Sequence, residues 1–102
     1  MSVNPQPIAI YYKNQGEYGY KIGVAIVDER GSPVIIPDGS IVNFIYYDTL
    51  GVKHTVGCNK FENIAYYNVK SVDFLETGSY RYWLECFTRD IYGPFELKIL
   101  KV

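Results

Sequence analysis

The chain has 102 residues, the size of one domain, with 48% hydrophobic and 21% charged residues, the balance of a soluble globular protein. Its net charge is −1, from ten basic and eleven acidic residues, and no basic stripe runs through it, so nucleic acid is not an expected partner. No apolar run approaches the roughly 18 residues of a membrane helix, and the start, MSVNPQPIAIYYK, lacks the basic-then-apolar order of a secretory signal.

Strand signals recur about every ten residues with turn residues between them, the rhythm of sandwiches and barrels. Residues 1–7 read as an N-terminal arm and residues 8–102 as a single domain. A short first strand is expected over Ile8–Tyr12, with a turn at Asn14–Glu17. Tyr18–Val27 alternates, placing Tyr20, Ile22, Val24 and Ile26 on one face and Lys21, Gly23 and Ala25 on the other. Period two marks a half-buried antiparallel strand. Asp28–Pro33 is a tight connection with Gly31 free to take a left-handed conformation.

An extended piece at Val34–Ile36 leads to a turn at Pro37–Ser40. Ile41–Tyr47 and Val52–Val56 are expected to form a hairpin around Asp48–Gly51. Gly57–Asn63 reads as a loop, Ile64–Val69 as a strand, and Val72–Gly78 as a crossover. In Ser79–Thr88, Tyr80, Tyr82, Leu84 and Cys86 share an uncharged face, while Arg81, Trp83, Glu85 and Phe87 share the other. A last turn at Asp90–Pro94 precedes a closing strand, Phe95–Val102. The fold expected is all-β: a Greek-key sandwich of about seven to eight antiparallel strands.

Catalytic and metal-binding inventories are thin. The single histidine, His54, reads as a solvated strand residue, and pairing it with Cys58 would leave no third group to orient it. One His and two distant cysteines, Cys58 and Cys86, do not provide a zinc set. The carboxylates Asp28, Asp38, Asp48, Asp73 and Asp90 fall singly in turns, where turn propensity alone puts them. Two cysteines are too few for a disulfide-dependent scaffold, so both are expected as free thiols. No enzyme activity, cofactor or metal is expected.

Surfaces carry more information. Aromatic residues make up 17% of the chain, with eleven Tyr, five Phe and one Trp. The pairs Tyr11–Tyr12, Tyr46–Tyr47 and Tyr66–Tyr67 each direct one ring inward and one outward if they lie on strands. Arg81, Trp83, Glu85, Phe87 and Tyr47 form the candidate contact face, and Leu75, Gly78, Tyr80, Tyr82, Leu84 and Cys86 the candidate corner and core. Either a loop, the arm or a neighbouring strand covers Trp83, or an aromatic patch is left for a partner.

Leu75–x–x–Gly78–x–Tyr80 resembles the tyrosine corner of immunoglobulin-like Greek-key sandwiches. Where an antibody domain carries a disulfide cysteine two residues later, this chain has Tyr82. The order of turns is similar to that in the immunoglobulin-like domains of tailed-bacteriophage virion proteins, of the capsid-decoration and baseplate upper-protein N-terminal type. The matching features are Asp28, Gly31 and Pro33, then Asp48–Gly51, then Gly78 and Tyr80, then Gly93–Pro94 before the last strand. The resemblance implies a non-enzymatic virion protein, made in the host cytoplasm, that binds coat or tail subunits or itself. Its length favours a decoration or adaptor subunit over a fibre. A sugar-binding module that stacks glycans on Trp83 and outward tyrosines, and a homo-oligomeric adaptor, are the alternatives.

Overall fold

The computed structural model describes residues 3–8, 11–87 and 90–101. Nine strands and no helix occur among them: β1 (Val3–Pro7), β2 (Tyr11–Asn14), β3 (Lys21–Asp28), β4 (Asn43–Tyr47), β5 (Lys53–Gly57), β6 (Asn59–Phe61), β7 (Ile64–Asn68), β8 (Gly78–Cys86) and β9 (Asp90–Leu100). They form two sheets, one in the order β1-β3-β7-β6 and the other β2-β9-β8-β4-β5. Eight of the nine segments meet their sheet through antiparallel pairing. The exception is β2, which lies parallel to β9.

The sheets enclose one core, because alternate residues of β3, β4, β7, β8 and β9 are apolar and point between them. Ile22, Val24 and Ile26 from β3 face Phe44, Tyr82, Leu84 and Leu97 from the other sheet, all essentially inaccessible to water. Edge-to-face packing of Phe44 on Tyr82, with centroids 5.3 Å apart, fills the centre. The alternation expected in Tyr18–Val27 and Ser79–Thr88 therefore sets the inward face of each sheet over β3 and β8, while Thr88 lies outside the described residues.

Four boundaries differ from the sequence reading. Val3–Pro7 is an edge strand antiparallel to β3, not an arm; an edge position tolerates Pro5 and Pro7 because a missing N–H there breaks no central ladder. The expected strand Ile8–Tyr12 gives way to β2 at Tyr11–Asn14, while Ala9 and Ile10 lie outside the described residues. The expected loop Gly57–Asn63 contains the three-residue edge strand β6. Asp90–Pro94 is no turn but the first part of β9, which continues past a register irregularity opposite Tyr82–Leu84. The additional short strands bring the count to nine.

Two turns use one device. The side-chain oxygen of Asp28 accepts the N–H groups of Arg30 and Ser32, each at 2.9 Å. Asp48 does the same for Leu50 and Val52, again at 2.9 Å. In both, a glycine three residues on, Gly31 or Gly51, takes a positive φ, a conformation open to glycine at little steric cost. These Asp-x-x-Gly turns fix the entry to the extended piece after β3 and the register of the β4–β5 hairpin.

Candidate functional site

The outer face of the five-stranded sheet gathers most of the contact residues that the sequence suggested. Ile45 on β4 stands beside Trp83 on β8. On the far side of Trp83, Gly93 is so close that a Cβ there would meet the indole Cδ1 at 2.9 Å. Tyr47 meets the indole edge-on, with ring centroids 5.7 Å apart and planes at 89°. Ile45, Tyr47, Lys53, Trp83 and Ile91 line a shallow hollow of about 200 Å³.

Trp83 is half-buried, covered along its flanks by β4 and β9. β1 belongs to the opposite sheet. Tyr47 and Ile91 remain 45% and 57% exposed, whereas Ile45 beneath them is 6% exposed. Ile45 points away from the main core, so its burial comes from the outer aromatic cluster. The result is a small apolar centre in a polar surround: Arg81 stands across from Glu96, and Asn43 Nδ2 donates to Glu85 at 3.1 Å.

Two of the suggested residues leave their assigned places. Phe87 is not on the outer face; it adopts φ 56° beyond the end of β8 and packs against the buried core. Strand alternation ceased to apply once the chain turned. Leu75 is 57% exposed and no part of the core, because the crossover carries its side chain outward. Gly78 is also exposed, with φ 134°, while Tyr80, Tyr82, Leu84 and Cys86 are buried.

The corner itself is closed by Tyr80. Its hydroxyl donates to the carbonyl of Glu76 at 2.8 Å and accepts the N–H of the same residue at 3.1 Å. One side chain thus satisfies both backbone groups of a crossover residue and ties the crossover to β8.

A polar network beside that corner was not legible in the sequence. Asp73 in the crossover is only 8% exposed and accepts hydrogen bonds from Tyr46 Oη at 3.1 Å, from Tyr67 Oη, and from the Lys70 N–H at 2.8 Å. Tyr46 and Tyr67 belong to opposite sheets, so one carboxylate joins both layers. Burial, followed by the nearby Asp73 charge, drives the Tyr46 hydroxyl far above the ordinary tyrosine range. Burial and the Asp73 hydrogen bond do the same at Tyr67. Both rings therefore remain neutral donors at physiological pH.

Next to this network, His54 stacks on Tyr46 with centroids 4.8 Å apart and planes 11° from parallel. Its Nε2 is 2.8 Å from Asp48 Oδ2. The hydrogen bond with His54 and those from Val52 and Leu50 hold the Asp48 carboxyl below its ordinary range. His54 is thus a partnered residue of the β4–β5 turn, and its partner is Asp48 rather than Cys58. Cys58 and Cys86 are free thiols, each pushed up to about 12 chiefly by burial, so neither supplies appreciable thiolate near neutrality.

No protein-family model and no curated protein sequence matches this chain. Among the described residues, no group of three or more His, Cys, Asp or Glu is placed to hold a metal ion, and no helix is long and apolar enough to cross a membrane.

Proposed function

We propose that this is an immunoglobulin-like binding domain that attaches to other protein subunits through the outer face of its five-stranded sheet. The observation that carries the reading is the Trp83–Tyr47–Ile45–Ile91 cluster: a partly covered aromatic anchor, a shallow hollow and a polar rim. Hot spots in protein interfaces take this form, with Trp, Tyr and Arg enriched at a centre that a partner seals from water. Arg81, Glu85 and Lys53 supply the rim charges that would set orientation.

The immunoglobulin-like assignment is supported by three features. The sheet orders place β1 and β2 on different layers at the start of the chain. β2 runs parallel to the last strand, and a tyrosine corner precedes the long penultimate strand. The turn order that resembles tailed-phage virion domains favours coat or tail subunits as the partners, in a non-enzymatic decoration or adaptor role. Copurification of the protein with intact particles, at many copies each, is the expected result; its complete absence from purified particles would overturn the virion part of the reading.

Glycan recognition is a second reading with its own observation. Trp83 and Tyr47 stand beside Arg81, Glu85 and Lys53, so an aromatic platform has polar neighbours able to bond sugar hydroxyls. An affinity gel carrying immobilised glycan that retards the wild type and not Trp83→Ala would favour this reading over the protein interface.

A further inference from the structure

The end of the sandwich that holds the Asp48 turn and the crossover encloses a cleft of about 520 Å³. Its floor is aromatic: Tyr46, Phe74 and Tyr80 line it together with His54. Phe74 packs on Tyr46 at 4.5 Å and edge-on against Tyr80 at 5.0 Å. Three aliphatic side chains stand around the mouth, Leu50, Val72 and Leu75, exposed to 87%, 72% and 57%. The charged groups among the lining residues are Asp48 and Glu76, with His54 bonded to Asp48; no Lys or Arg of the described residues lines the cleft.

This combination selects a chemistry. The floor rings are buried against one another, and both Asp48 oxygens are bonded, to His54 and to the Leu50 and Val52 N–H groups. What the cleft offers a ligand is the exposed carboxylate of Glu76, which pairs with a cation, and aliphatic walls that accept the methylene stem of a long basic side chain. A carboxylate ligand would instead meet the like charge of Glu76.

The neighbouring backbone points to an extended chain as the carrier of that cation. β5 is the outermost strand of its sheet. The bonds Asp48 N–H to Val52 O and Cys58 N–H to Val42 O, with the β4–β5 register, turn the backbone groups of residues 52, 54, 56 and 58 toward β4. Antiparallel pairing then directs those of Lys53, Thr55 and Gly57 to the open edge. A strand added along that edge would place the side chain opposite His54 on the cleft side of the sheet.

We propose that β5 and this cleft together bind an extended segment of a partner protein, adding it as a strand and receiving one of its arginine or lysine side chains between the aliphatic walls and Glu76. The cleft shares no lining residue with the Trp83 hollow; Lys53 belongs to both surfaces, with its backbone on the β5 edge and its side chain at the hollow.

The test uses nuclear magnetic resonance of the intact, ¹⁵N-labelled protein with a blocked pentapeptide, Val-Thr-Arg-Thr-Val. A matched peptide carries the neutral isostere citrulline at its centre, and arginine amide serves as the single-residue control. The expected result is saturable shifts at the amides of Lys53, Thr55 and Gly57 and at Leu50, Val72 and Leu75. Binding should be about tenfold weaker for the citrulline peptide and for the Glu76→Gln protein, as one lost charge-assisted contact predicts. Glu76 is exposed, so that substitution does not threaten the fold. Absence of saturable shifts, equal affinity for the citrulline peptide, or shifts centred on Trp83 would overturn the proposal. Arginine amide binding as tightly as the pentapeptide would overturn the added strand.

Discussion

The two faces of β8 both carry aromatic residues but differ in charge and in how far those rings are covered. Inward, Tyr80, Tyr82, Leu84 and Cys86 are sealed in a core where every ring has neighbours on several sides. Outward, Trp83 is only half covered, by Tyr47 at its edge and Gly93 against its flank. An aromatic side chain is therefore no indicator of core or surface in this chain; phase along the strand is. The inner face depends on complete packing, and the outer face keeps an apolar centre open at the cost of exposed hydrophobic surface.

The inner face also contains two ways of burying a tyrosine. At the crossover end, the hydroxyls of Tyr46, Tyr67 and Tyr80 all have partners. At the centre, the hydroxyl of Tyr82 is buried with no hydrogen-bond partner among the described residues, and that of Tyr20 is likewise unpaired. Unpaired buried hydroxyls cost stability, whereas paired ones specify geometry.

The largest effect expected is on the whole core at high pH. Burial raises Tyr20 to about 12 and Tyr46, Tyr67 and Tyr82 further still, and raises both thiols from 9.0 to about 12. Groups whose folded pKa is raised contribute stability that is complete below their unfolded values and is lost as pH rises toward the folded ones. Cooperative unfolding is therefore expected above about pH 10, seen as a joint change in tyrosinate absorbance and near-ultraviolet dichroism. Titration of all eleven tyrosines as one set in a still-folded protein would contradict this account of the inner face.

Next in size, Leu84→Ala should lower unfolding free energy by about 2–5 kcal/mol, measured by urea denaturation. Asp73→Ala should cost about 3 kcal/mol, because the Tyr46 and Tyr67 hydroxyls lose a charged acceptor within the core. A smaller pair of changes separates the two kinds of buried tyrosine. Tyr80→Phe should cost about 1 kcal/mol by releasing both backbone groups of Glu76, while Tyr82→Phe should be neutral or slightly stabilising. Equal losses from the two would break the distinction between paired and unpaired hydroxyls.

The sequence made the alternating strands legible because period two is a local signal: β3 and β8 separate their faces residue by residue. The Asp-x-x-Gly turns and the tyrosine corner were legible for the same reason, each lying within a few residues. What escaped was non-local. Asp73 looked like one more turn carboxylate, since only folding brings it to Tyr46 and Tyr67 from opposite sheets. His54 is the solvated strand residue that the sequence suggested, 40% exposed along its side chain, but its partner Asp48 lies across a hairpin turn and was not seen. Val3–Pro7 was hidden by its two prolines, which forbid a central strand and permit an edge one. Phe87 followed the outward phase of β8 on paper, but the strand ends at Cys86 and the next residue folds back onto the core.

The division of β8 is tested most directly by Trp83→Ala, examined for stability and for attachment together. On the virion reading proposed above, wild-type and variant protein, each with its melting temperature measured, are added to purified particles lacking the protein, and bound copies are counted after sedimentation. The variant is expected to melt within a few degrees of wild type, because Trp83 is a half-covered side chain outside the main core, yet to bind at least tenfold more weakly. A stable Trp83→Ala protein that occupies the particles as fully as wild type would contradict this division of β8.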